Sequence, residues 1–297
     1  SSLVILHYMN ILVTGANGQL GNEMRILSAQ HPNHTYFFSD IINPTPLPLY
    51  SFTPLDITDK AALEAFVSAN KIDLIVNCAA YTNVDKAEQD EPTARLINAQ
   101  AVENLGSLGC KVIHISTDYV FAGDGCVPGK ESDPVDPKTA YGRTKYEGEQ
   151  RLLAVNPEAV ILRTAWLYSP FGNNFVKTML RLGKERDEIK VVYDQVGSPT
   201  YAYDLAAAIF AVIEAKEWHK GIYHFTNEGV CSWYDFTVEI LRQAGINCKV
   251  TPILSSEYAY PTPRPHYSVL DKAKIKETFG IAIPYWTDSL RHCLSNL

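Results

Sequence analysis

The segment NILVTGANGQLGNEMRILS, residues 10–28, joins a short apolar run to an amphipathic one through three glycines. Ile11, Leu12 and Val13 are consecutive apolar residues without polar alternation, the pattern of a strand buried on both faces. Gly15, Gly18 and Gly21 follow at GxxGxxG spacing, and Gln19 to Gln30 has helical periodicity. Between a buried strand and a helix, the first glycine makes the tight turn and the second lets a pyrophosphate approach the backbone. The third lets helix and strand pack closely, and free N–H groups at the helix start face the phosphates. This predicts a dinucleotide-binding unit.

Outward from that unit, apolar runs keep alternating with amphipathic stretches. HTYFFSD reads as a second strand ending at Asp40, followed by a proline-rich loop from Asn43 to Pro54. A helix starts near Asp59. Then come the strand Asp73 to Asn77, a helix around Pro92 to Leu108, the strand Lys111 to Ser116, a helix from Thr139 to Leu153 and the strand Ala159 to Arg163. Strands separated by helical crossovers imply an α/β fold: a Rossmann-type, doubly wound parallel sheet with helices on both faces. After Trp166 the rhythm loosens, through NFVKTMLRLG, IKVVYD, AYDLAAAIFAVIEA, GIYHF and SWYDFTVEILRQAG to the proline-dense YPTPRPHY. The expected division is a dinucleotide-binding domain over 9–165, with return segments near 189–215, and a smaller C-terminal α/β substrate-binding lobe over 166–297.

The whole chain of 297 residues carries 26 Lys+Arg against 33 Asp+Glu, a net charge of −7, with 46% hydrophobic residues. An acidic balance argues against a nucleic-acid partner, which calls for a basic face. The six cysteines are scattered with no CxxC pair, which suits a reducing cytoplasm. No apolar stretch approaches the twenty residues of a membrane span. SSLVILHY precedes Met9 and reads as an extension before a start methionine.

Asp40 lies about twenty residues past the glycine loop, where a carboxylate holds the adenosine ribose hydroxyls of NAD. Asp56 and Ile57, in LDITD, end a short third segment where adenine is read. Small residues in NCAAYT, ending in Ala80, Tyr81 and Thr82, allow backbone to approach a dinucleotide. GDGCVPGKE resembles a P-loop but has one residue too many between Gly123 and Gly129 and a glutamate at the Ser/Thr position.

Tyr141 and Lys145, from AYGRTKYEGE, stack on one helix face four residues apart. Their helix follows the strand whose carboxyl end carries Ser116, Thr117 and Asp118, and ligands of open parallel sheets bind beyond such ends. A phenol with a pKa near 10 needs help to exchange protons at neutral pH, and Lys145 is expected to lower it. The histidines, among them His31, His34 and His114, read as structural, and Arg163 as half of an ion pair.

TGANGQLG, NCAAYTNVDKAE, STDYVFAG and YGRTKYEGE, in this order, resemble the extended short-chain dehydrogenase/reductases. RTAWLYSPFGNNFVKTML and DQVGSPTYAYDLA narrow the likeness to the dTDP-4-dehydrorhamnose reductase family. The resemblance spans nearly everything from Met9 on. It implies reduction of the C4 ketone of a nucleotide sugar, dTDP-4-dehydro-L-rhamnose, by NADPH or NADH, with Thr117, Tyr141 and Lys145 as the catalytic set. It places Gly18, Gln19, Leu20, Asp56, Ile57, Ala80, Tyr81 and Thr82 along the cofactor. Thr117, Asp118, Tyr141, Trp166 and Asn174 fall at the substrate. Arg264, in PTPRP, is the candidate clamp for the substrate diphosphate.

Some family members are dimers bridged by magnesium through glutamates. Glu23 matches one of these, but RHCLSNL supplies no second, so no metal is expected, and a homodimer is left open. Two alternatives compete with the reductase. One is an epimerase or dehydratase of the same superfamily, for which Asp118 speaks and Tyr119 in place of a glutamate does not. The other is a non-catalytic dinucleotide-binding subunit, like the relative that regulates methionine adenosyltransferase.

Overall fold

The computed structural model describes residues 7–42 and 50–297. The first six residues of the expected extension, and the part of the proline-rich loop over 43–49, lie outside the described residues. Strands β1 (Asn10–Thr14), β2 (Thr35–Asp40), β3 (Phe52–Pro54), β4 (Leu74–Asn77), β5 (Lys111–Thr117) and β6 (Val160–Thr164) join Gly221–His224 in one sheet. The order is Gly221–His224, β6, β5, β4, β1, β2, β3, with every neighbouring pair parallel.

Parallel pairing requires crossovers, and the helices that make them cover both faces. Along β1, Ile11 and Val13 point to one side, where they meet Met24 of α1 (Gln19–Ser28) and Leu205 and Ile209 of the helix Ala202–Ile213. Leu12 points to the other, towards Leu63 of α2 (Lys60–Asn70) and Leu105 and Leu152. All three β1 residues are fully buried, each burial stabilising by about 1.5–3 kcal/mol.

Two stretches differ from the sequence reading. Phe52–Pro54, expected as loop, adds an edge strand to β2, a place where proline is tolerated because one side of the ladder is open. The single helix expected over Pro92 to Leu108 is three pieces. These are α4 (Glu91–Arg95), a π-helical turn (Leu96–Gln100) and α5 (Ala101–Gly106), preceded by α3 (Val84–Gln89). The π turn pushes the Asn98 carbonyl against α6 (Ala140–Val155) at Gly148, where any Cβ would overlap it.

The C-terminal third builds a third core around Tyr168, Phe236, Ile240 and Leu290. Glu188–Val192 pairs there with Lys249–Ile253, apart from the large sheet. The return to the large sheet runs instead through Ala202–Ile213, packed on α1, and through Gly221–His224 beside β6.

Candidate active site

Strand order reverses between β1 and β4, and this opens a crevice beyond their carboxyl ends. Gly15 turns the chain there with φ +63°, and a Cβ on it would stand 2.5 Å from the Ala79 amide after β4. A Cβ on Gly21 would overlap the Gly15 carbonyl, so α1 can pack onto the turn only through glycine. No side chain caps the N-terminus of α1 at Gly18. Its first-turn N–H groups are thus available to an anion, and turn and helix end together fit a dinucleotide diphosphate.

Asp40 braces this loop. Its Oδ2 accepts the Asn17 N–H at 3.0 Å and its Oδ1 the Ile41 N–H at 2.8 Å, so the carboxylate turns towards the glycine turn rather than standing free for a ribose. Asp56 is exposed and accepts from Thr58, while Ile57 is buried beside it. Tyr81 is clasped through its backbone by Asn98, whose Oδ1 takes the Tyr81 N–H at 2.8 Å and whose Nδ2 reaches the Tyr81 carbonyl. This role of Asn98 was not legible in the sequence. Ala80 is partly buried in the same loop and Thr82 is exposed.

Thr117 closes β5, and Thr139 caps α6 by accepting the Gly142 N–H at 3.0 Å. These two elements bring Thr117, Tyr141 and Lys145 together. The Thr117 hydroxyl donates to Asp118 Oδ1 at 3.2 Å and accepts the Tyr119 N–H at 3.2 Å, and it is the polar group that acts on the Tyr141 phenol. Lys145 Nζ donates to the Ile115 carbonyl at 2.6 Å. Burial pushes the Tyr141 phenol up to about 12, against the pull of the Thr117 hydrogen bond. The lowering expected from Lys145 does not appear: desolvation of the phenolate dominates, and the Asp118 carboxylate adds to the rise. Burial also lowers the Lys145 ammonium to about 8, with Glu149 acting in opposition.

Asp118 is 5% exposed, and its Oδ2 has no partner. Burial raises its carboxyl to about 7, opposed by the Thr117 hydrogen bond. A folded-state pKa above the unfolded value means that the stability is present at low pH and lost as pH rises through about 7. Asp118→Asn is therefore expected to match the parent in Tm below the ordinary carboxylate value of 3.8, to gain on it progressively between there and about 7, and to exceed it by several degrees above that. Melting curves across the range check this.

Trp166 has φ +52°, unusual for a bulky residue. One face of its ring stacks on Trp233 at 3.6 Å, and Gly197 crowds its six-membered edge. The open platform expected for a sugar is thus largely used within the lobe. Asn174 caps the helix Phe175–Glu185 by accepting the Lys177 N–H and donates to Gln19 Oε1 at 3.0 Å and the Ser169 carbonyl at 2.8 Å. Its amide ties the lobe to the glycine loop. Arg264, expected to be free for a diphosphate, closes its fork on Asp85 of α3 with two bonds of 3.0 Å. Glu23 is buried on α1, where burial raises its carboxyl to about 7. His31 and His34 face Glu214, and Arg163 is ion-paired with Glu149.

Residues 9–297 match the family model described as RmlD substrate binding domain. The chain belongs to this RmlD family. A solved dTDP-4-dehydrorhamnose reductase from Clostridium acetobutylicum is 44% identical to this RmlD-family chain, with a TM-score of 0.88 over 97% of this chain and 99% of that one. A dTDP-4-dehydrorhamnose reductase from Bacillus anthracis, solved in complex with NADP, is 36% identical with a TM-score of 0.85, covering 98% and 100%. A spore coat polysaccharide biosynthesis protein of Bacillus subtilis is 40% identical over 96% of both chains. The RmlD-family fold and the sheet described above agree with the Rossmann-type architecture expected from the sequence.

Proposed function

We propose that this chain reduces the C4 ketone of dTDP-4-dehydro-L-rhamnose to dTDP-L-rhamnose with NADPH or NADH. The observation that carries the reading is the convergence of Thr117, Tyr141 and Lys145 at the carboxyl end of β5, in the same sheet whose β1 leads into the uncapped glycine-loop helix. Full-length likeness to dTDP-4-dehydrorhamnose reductases, one of them with NADP bound, supports substrate and cofactor together.

When bound, the reduced nicotinamide supplies a hydride. Thr117, turning its hydroxyl from Asp118 Oδ1, donates a hydrogen bond to the C4 oxygen and stabilises the charge that develops on it. Tyr141, kept neutral by its raised pKa, gives its hydroxyl proton to the same oxygen and completes the alcohol. Lys145 holds the nicotinamide ribose hydroxyls, and the N-terminus of α1, with Gly18, Gln19 and Leu20, holds the diphosphate. Asp118 lines the substrate side next to Thr117. With its fork closed on Asp85, Arg264 serves this reading as a strut that ties the proline-dense YPTPRPHY segment to α3.

A cytoplasmic location goes with this reading. The six cysteines are free, and no helix among the described residues is long and apolar enough to cross a membrane.

The test is loss of nicotinamide absorbance when the protein meets dTDP-4-dehydro-L-rhamnose with each cofactor in turn. One reduced cofactor consumed per product is expected. Conversion of the sugar without net oxidation would point to an epimerase or dehydratase that recycles its cofactor. No conversion of any nucleotide sugar with either cofactor would overturn the enzymatic reading.

A further inference from the structure

Glu149 stands one helical turn beyond Lys145 on the sheet-facing side of α6 and is 1% exposed. Its carboxylate has two holders. Ser116, the residue before Thr117, donates its hydroxyl to Oε2 at 2.6 Å. Arg163 of β6, also 1% exposed, donates from Nη2 to Oε1 at 2.6 Å and from Nε to Oε2 at 3.0 Å. Arg163 is held in turn, since Nη1 lies 3.4 Å from His224 Nε2 and the guanidinium sits 5.2 Å over the Phe121 ring. His224 Nδ1 bonds the Gly129 carbonyl, and this leaves Nε2 to accept.

A buried ion pair is weak evidence for stability, because apolar replacements of both partners often fold as well. Its placement suggests a different use. The groups facing Lys145 from the elements packed on α6 can be taken in turn. On β5, the His114 imidazole stays neutral, its Nδ1 beside the Asn77 amide nitrogen at 3.0 Å. On α6 itself, Tyr141 is a neutral phenol. Just past β5, Asp118 is engaged by Thr117, and Tyr119 is likewise a neutral phenol. On α4 and α5, Glu91, Arg95 and Glu103 pair with Arg143, Glu147 and Arg151 at the outer surface of α6. On α3, Asp85 is bound to Arg264, Glu88 to the Ala140 N–H, and Lys86 is exposed. Glu149, though paired with Arg163, shares the sheet-facing side of α6 with Lys145 and is the anion that acts on its ammonium.

We infer that Glu149, fixed by Ser116 and Arg163, is a positioning residue that keeps Lys145 charged and seated for the dinucleotide ribose. The inference rests on the role given to Lys145 above. Burial works against the ammonium and Glu149 works for it, so loss of the Glu149 charge moves deprotonation of Lys145 into the neutral range.

The experiment is the Kd for NADPH, read by nicotinamide fluorescence from mildly acid to alkaline pH. It compares the parent, Lys145→Ala and the double variant Glu149→Gln/Arg163→Met, which strands neither charge. Affinity of the parent is expected to fall as pH rises through about 8. The double variant is expected to lose affinity at a lower pH than the parent, and Lys145→Ala to bind weakly with no such dependence. An unmoved midpoint in a folded double variant, with Lys145→Ala weak, overturns the inference and leaves the role of Lys145 standing. Parent-like binding by Lys145→Ala overturns that role and the inference with it. Should the double variant not fold, Glu149→Asp, which withdraws the carboxylate by one methylene, is read in its place. A lower midpoint is expected there, and an unchanged one counts against the inference.

Discussion

Tyr141→Phe is expected to lower kcat by about 10²–10⁴-fold, the range for loss of a positioned general acid, with NADPH affinity unchanged. Tyr141 is partly buried on α6, and desolvation raises its phenol to about 12, so its proton is present throughout the neutral range. Removing the hydroxyl takes away the donor to the C4 oxygen and leaves Thr117 to polarise a carbonyl that no neighbour protonates. Packing changes little, because the Thr117 hydroxyl keeps its bond to Asp118 Oδ1. Steady-state rates, with fluorescence titration of NADPH as the control for binding, decide the matter. A rate within a few-fold of the parent would assign the proton to another group, and Asp118 is the nearest candidate.

Arg163→Met is expected to be the most destabilising of the single changes considered. It leaves the Glu149 carboxylate 1% exposed, with only the Ser116 hydroxyl bonded to it and the Lys145 ammonium one helical turn away in place of its guanidinium partner. Stranding one partner of a buried pair costs about 3–5 kcal/mol, which corresponds to a fall in Tm on the order of ten degrees. The double variant Glu149→Gln/Arg163→Met should recover most of that loss, since no charge is then left alone. Arg95 provides the contrast. Its pairs with Glu91 and Glu147 are 28–39% exposed, and Arg95→Ala should cost about 0–1 kcal/mol. Calorimetric melts of the three proteins test the ordering, and equal losses for Arg163→Met and Arg95→Ala would show the buried pair to be energetically idle.

The large sheet was legible because its strands are short apolar runs buried on both faces, and the glycine loop because strand, spacing and helix occur together. Three features were not, each for a physical reason. Phe52–Pro54 becomes a strand only because β2 offers it an open edge, a fact of pairing rather than propensity. The π turn depends on the contact between the Asn98 carbonyl and Gly148, fifty residues apart (148 − 98). The direction of the Tyr141 shift follows from burial, which the Tyr-x-x-x-Lys spacing does not encode. Arg163 was recognisable as half of an ion pair, but its partner was not, because Glu149 lies in another element. Arg264 looked free for a diphosphate because Asp85 is 179 residues away.

The parallel pairing of β6 with Gly221–His224 also bears on the birth of the protein at the ribosome. Val160 pairs with Gly221, so the partner strand is synthesised some sixty residues later (221 − 160). Until then VILRT presents an unprotected edge, fully buried in the finished protein, to any other nascent chain. By that stage of translation the glycine loop, Thr117, Tyr141 and Lys145 have already been made. A truncated chain ending before Gly221 would therefore hold these site residues and yet be prone to self-association, and a chaperone that shields β6 would serve this protein during that interval.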